Sequence, residues 1–98
     1  MELRDVKRQA IHCLSTGAYD HQVRGKIDVK NLFAVGQVDE DLVIELIANT
    51  HQEQYHCSPH HKDGSIDVHV LKPLRLGYQW YVKFYFIEPD IIFISVHL

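Results

Sequence analysis

The sequence is poor in most features that assign a chain to a class at sight. No apolar run approaches the ~20 residues of a membrane-crossing helix, which excludes a helical membrane protein. The opening Met1-Glu2-Leu3-Arg4-Asp5 carries charge where a signal peptide has its apolar stretch, so a cytoplasmic protein is expected. Cysteine is scarce. Cys13 and Cys57 fit reduced thiols; one disulfide is possible on count, but nothing else suggests export. Positive charge is in deficit, with a formal net charge of -3. That counts against broad, nonspecific nucleic-acid binding, which needs a surplus of Lys and Arg over a sizeable surface to release counterions. There is no internal repeat, low-complexity tract or linker. At 98 residues the chain has length for one core and not two, so residues 1–98 read as a single domain.

What is present is an ordered composition, 46% hydrophobic, with two successive periodicities. Leu3, Val6, Ala10, Ile11 and Leu14 recur at helical spacing opposite Arg4, Lys7 and Arg8, which predicts a helix over residues 3–14 stopped at Gly17. Residues 18–27 read as loop or a short edge strand. Asp28 is a candidate cap for a short helix through Val35, closed by Gly36. Asp39 reads as the N-cap of a further helix: Glu40 and Asp41 suit its positive terminus, and Leu42, Val43, Leu46 and Ile47 form its apolar stripe up to Asn49-Thr50.

Beyond Thr50 the period changes to two. Strands are expected over residues 53–58, 65–71, 78–87 and 91–97, with a loop from Pro59 to Gly64 and turns at Pro73 to Gly77 and at Glu88-Pro89-Asp90. Helices first and antiparallel strands afterwards define an α+β domain with the helices on one face of the sheet. The even positions from Ile66 to Leu98, including Val68, Val70, Trp80, Val82, Phe84, Phe86, Ile92, Ile94 and Val96, are apolar and are assigned to the core face. The odd positions Asp67, His69, Gln79, Tyr81, Lys83, Ser95 and His97 are assigned to the wet face. A hairpin with Ile87 opposite Ile91 sets Lys83 opposite Ser95 and Tyr81 opposite His97.

Eight histidines, several of them on that wet face, are the strongest chemical signal. His69, Tyr81, Lys83 and His97 supply what metal-free cleavage of RNA requires: a base for the 2′-hydroxyl, an acid for the leaving 5′-oxygen and a cation at the phosphate. The plain alternative is an ordinary solvated sheet face. His56, Cys57, His60 and His61 form the densest set of zinc-type donors, yet neighbours on a strand point apart and no second Cys-x-x-Cys completes a site. Lys72 and Arg75, flanking Pro73-Leu74, form a basic turn suited to phosphate or merely to solvent, and His12-Cys13 reads as packed helix. A noncatalytic protein- or RNA-binding module on the same face, and a small zinc-binding domain, therefore stand beside the enzyme reading.

In Tyr55-His56-Cys57-Ser58, the strand from Ile66 to Val70 leading to Lys72-Pro73, Tyr81-Val82-Lys83 and Ile94-Ser95-Val96-His97, the chain resembles the motility quorum-sensing regulator (MqsR) toxins. Those ribonuclease halves of bacterial toxin-antitoxin pairs carry a Tyr-Lys-Ser-Met stretch, a strand leading to a basic residue plus proline, a Tyr-x-Lys strand and a final Val-Ser-Phe-Lys strand. The likeness extends weakly to residues 3–17 and 39–48. It implies a RelE-like α+β fold, metal-free endoribonuclease activity on mRNA without a cofactor, and a cognate antitoxin partner. The family's tyrosine matches Tyr81; its two lysines become His56 and His97; its glutamine aligns with Val68, with His69 one position on as the stand-in. The resemblance thus implies His56, His69, Tyr81 and His97 as catalytic residues, and the chemistry of the residues themselves suggests His97 and His56 as the acid/base pair and Lys72, Arg75 and Lys83 as contacts to RNA. Histidine in place of lysine shifts such chemistry toward proton exchange near neutral pH.

Overall fold

The computed structural model describes residues 2–23 and 30–98. Helix α1 (Leu3–Thr16) buries Leu3, Val6, Ala10, Cys13 and Leu14 on one stripe. It stops where expected: Gly17 adopts the left-handed conformation at φ 76, and the Ala18 N–H closes back on the Cys13 carbonyl at 2.8 Å. Helix α2 (Glu40–Ala48) begins at Asp39, whose carboxylate accepts the Leu42 N–H at 2.9 Å, and buries Val43, Leu46 and Ile47. The helix expected from Asp28 to Val35 begins outside the described residues; Asn31 onward is a bridge and a run of turns. No helix among the described residues is long and apolar enough to cross a membrane.

The strands are β1 (Tyr19–His21), β2 (Tyr55–Pro59), β3 (Asp67–Leu71), β4 (Leu74–Arg75), β5 (Tyr78–Gln79), β6 (Tyr81–Ile87) and β7 (Asp90–His97). Five form one sheet in the order β1-β7-β6-β3-β2, antiparallel except for β1, which runs parallel to β7. The remaining two make a separate small hairpin, so the long strand expected over residues 78–87 is interrupted at Trp80. Leu76 and Gly77 both take positive φ at its turn, a backbone twist that matches paired strands. Both helices pack on one face of the large sheet, where Val6, Ala10, Leu46 and Ile47 meet Leu71, Val82, Phe84, Ile91, Phe93 and Val96. The α+β architecture with helices covering one side of a mainly antiparallel sheet is therefore the observed one.

Assigning every even position to the core needs correction. Residues directly opposite one another share a face, so the pairing register decides parity anew for each strand. On β3, His69 lies opposite Phe84 and Leu71 opposite Val82, which puts odd positions under the helices. On β7 parity changes within the strand: Tyr81 faces His97 and Lys83 faces Ser95 as expected, but Phe84 faces Phe93 and Ile87 faces Asp90. The turn is one residue shorter than expected, and a bulge beyond Lys83 restores the register by leaving Ile94 as the extra residue. Ile91 and Phe93 consequently fill the core in place of Ile92, while Leu98, expected inside, is 64% exposed.

Candidate functional site

Among the described residues no helix packs on the other face of the sheet, and this helix-free face is read off the same registers. It carries His56 and Ser58 from β2, Val68 and Val70 from β3, Tyr81, Lys83 and Tyr85 from β6, and Ser95 and His97 from β7. At its open end the rings of Tyr81 and His97 stack with centroids 5.1 Å apart and planes 20° from parallel. Lys72, just past β3, holds its ammonium over the Tyr81 ring at 5.9 Å, within reach of a cation–π attraction. His97 Nδ1 lies 2.9 Å from the Leu98 oxygen. That oxygen only accepts, so Nδ1 is the donor, and in the singly protonated ring the lone pair lies on Nε2. The result is an imidazole with a basic nitrogen, a phenol against its face and a cation above the phenol, with Lys83 one strand step away on the same side.

The other residues singled out from sequence are spread. His56 shares the cross-strand row His56, Val70, Lys83, Ser95, three strand intervals from β7. At ~4.8 Å per interval the backbones of His56 and Ser95 lie roughly 14 Å apart, and His97 stands two residues further along β7, too far to flank one phosphate with His56 as an acid/base pair. His69 belongs to the opposite face. It is 2% exposed, packs on Phe84 and Phe86, and shares a 2.8 Å hydrogen bond between Nδ1 and the Tyr55 hydroxyl. Burial pushes its pKa down, Asp67 opposing only in part, and burial likewise drives the Tyr55 phenol up. His69 cannot stand in for the glutamine of the resembled family, because the β3 register turns it under the helices. Arg75 sits on the small hairpin and donates from Nε to Glu45 of α2, which commits it to the helix layer rather than to the Tyr81 side.

Sequence reasoning passed over a cavity of about 280 Å³ beside Lys83, lined also by Gln22, Ser58, His60, His61 and Val68. The loop after β2 folds onto the sheet and sets the His60 ring edge-on to Tyr85, with centroids 5.2 Å apart. Tyr85 had a legible signal, since it stands two residues beyond Lys83 on one strand and so shares its face. The path of the loop had none. His56, Cys57, His60 and His61 are the densest set of zinc-type donors in the sequence, but Cys57 lies opposite His69 and His56 opposite Val70, on different faces. Among the described residues no group of three His, Cys, Asp or Glu converges to hold a metal ion. A larger hollow of about 490 Å³ at the start of α1, lined by Glu2, Leu3, Arg4, Gln52 and Tyr55, brings together no imidazole and no lysine.

Charge is divided between the layers. Asp39, Glu40, Asp41 and Glu45 cluster along α2, whereas at the start of α1 Glu2 pairs with Arg4 and Asp5 with Arg8, and Lys7 leaves that segment positive. The helix-free face carries Lys72, Lys83, His56 and His97, and by register only Asp20 and Asp90 among acids on its described strands. The concentration of acid thus belongs to α2, and the helix-free face, with two lysines against two aspartates, is formally balanced rather than acidic. No family profile and no curated protein matches the chain.

Proposed function

We propose that the protein is a metal-independent endoribonuclease acting on the helix-free sheet face, of the kind the likeness to the MqsR toxins implies, with an antitoxin as its cellular partner. The observation that carries this reading is the Tyr81–His97 stack, in which the bond from Nδ1 to the Leu98 oxygen leaves Nε2 as the acceptor. His97 Nε2 takes the proton of a ribose 2′-hydroxyl as its oxygen bonds to phosphorus. The bond to the 5′-oxygen breaks, and the Tyr81 phenol gives that oxygen its proton. Lys72 above the Tyr81 ring favours the phenolate formed, and Lys83 meets the phosphate charge. The products are a 2′,3′-cyclic phosphate and a 5′-hydroxyl end. His56, too remote for this step, serves a neighbouring stretch of the strand.

Incubation of purified protein with single-stranded RNA, followed by analysis of the chain ends, tests the reaction. The expected outcome is cleavage leaving cyclic phosphates, loss of cleavage on 2′-deoxy substitution at the cut site, and strong slowing by His97→Ala and Tyr81→Phe. Cleavage at the parental rate by a folded His97→Ala protein overturns it. The near-parallel Tyr81 and His97 rings also suit base stacking, and this favours one second reading: a protein that binds RNA on the same face and leaves it intact. Tight RNA binding without any cut would select that alternative.

A further inference from the structure

The cavity beside Lys83 has the makings of a recognition site in its own right. One wall is built of stacked imidazoles, with His60 and His61 centroids 5.0 Å apart and planes 11° from parallel. His60 is pinned from two sides. Its Nδ1 lies 3.1 Å from the Lys62 N–H, which donates to it, and its ring stands edge-on against Tyr85. The floor is apolar, from Val68 at 4% and Ile94 at 5% exposure. Polar groups are few and placed at the rim: the Ser58 hydroxyl, the Lys83 ammonium, and the Gln22 amide, whose Oε1 accepts from the Tyr85 hydroxyl at 3.3 Å. The one carboxylate of the loop, Asp63, is engaged by the N–H and hydroxyl of Ser65 and does not line the space.

A flat aromatic wall, a dry floor and a few hydrogen-bonding groups beside a cation select a planar heterocycle joined to an anion. We propose that this cavity is the subsite for the base of the nucleotide next to the scissile phosphate, an assignment that rests on the reading above that RNA lies on this face. Lys83 links the two places, because it lines the cavity and also lies one step along β6 from Tyr81. A base stacked against His60 and His61 would hold its phosphate over Lys83 and feed the next phosphodiester toward His97. Selectivity for the nucleotide at the cut would then arise at Gln22 and Ser58, away from the reacting atoms.

The test uses the intact protein, with the ring signals of His60, His61, Tyr85 and His97 followed by NMR while adenosine, guanosine, cytidine and uridine 5′-monophosphates are added in turn. Ribose 5-phosphate and inorganic phosphate serve as baseless controls. At least one mononucleotide is expected to shift the His60, His61 and Tyr85 rings where the controls do not, and a His60→Ala/His61→Ala double variant is expected to bind it roughly 5- to 100-fold more weakly. Because both histidines are in a surface loop, folding of that variant is verified by its unchanged Phe84 and Phe93 signals. Equal effects of nucleotide and ribose 5-phosphate overturn the subsite, even if His97-dependent cleavage persists. Base-dependent shifts in a protein that never cuts RNA would uphold the subsite and refute the nuclease reading instead.

Discussion

Two tyrosine–histidine pairs lie on opposite faces of one sheet, and burial closes one in while leaving the other open to solvent. Tyr55 and His69 stack at 5.9 Å with planes 14° apart, nearly the arrangement of Tyr81 and His97 at 5.1 Å and 20°. His69 is closed in by Phe84 and Phe86, its Nδ1 is bonded to the Tyr55 hydroxyl, and burial disfavours its charged form. His97 is half-exposed at the open end of the sheet, with its Nδ1 proton held by the Leu98 oxygen and a cation near its tyrosine partner. The buried pair satisfies polar groups within a core. The open pair has a basic nitrogen to offer.

The largest contrast is expected when each histidine is truncated. His97→Ala should lower RNA cleavage by roughly 10² to 10⁴ while leaving urea-unfolding stability within about 0.5–1 kcal/mol of the parent. Phe84→Ala, beneath both helices, should cost about 3–5 kcal/mol in the same unfolding measurement, because a fully buried ring leaves a cavity. His69→Ala should cost on the order of 2–4 kcal/mol through lost packing and the lost hydrogen bond to the Tyr55 hydroxyl, with cleavage per folded molecule unchanged. A His69→Ala protein that is stable but inactive would reverse the assignment of the two pairs.

Acid should act on the buried His69 and the half-buried His21. His69 and His21 both have folded-state pKa values lowered first by burial. Below the unfolded value of about 6.5 the unfolded chain therefore takes up protons that the native state refuses, and stability falls with pH until the lowered native values are reached. Unfolding free energies followed from pH 7.5 to 5 should decline, and His69→Phe, which keeps a ring among Phe84 and Phe86, should flatten the decline. An unaltered slope in that variant would remove His69 as a source. The smallest effect belongs to the lysines: Lys83→Ala and Lys72→Ala should each reduce the slope of log affinity for RNA against log salt by about 1.

Much of this was legible before the fold was known. Helical spacing from Leu3 to Leu14, Gly17 as a stop and Asp39 as a cap are local signals, and each is realised locally. The opposition of Tyr81 to His97 was also reached, although through a turn one residue too long, whose error the bulge at Ile94 cancels. Face assignment on β3 was out of reach, since alternation along a strand identifies two sides without saying which lies under the helices. His69 is the residue that this ambiguity misplaced. Arg75 was likewise misjudged, because nothing local in its turn indicates Glu45, thirty positions earlier, as its partner. The cavity depends on a loop folding back over the sheet, a long-range event with no periodic signature.

On the proposed reading the helix-free face holds RNA and the helix-covered face holds the protein together. This reading is tested most directly by mapping NMR perturbations from a short 2′-O-methyl RNA, which cannot be cut, onto both faces at once. The changes are expected to concentrate at Tyr81, Lys83, Tyr85 and His97, leaving His69 and Tyr55 unmoved. Changes centred on Tyr55, His69 or α2, with none at Tyr81 and His97, would contradict it.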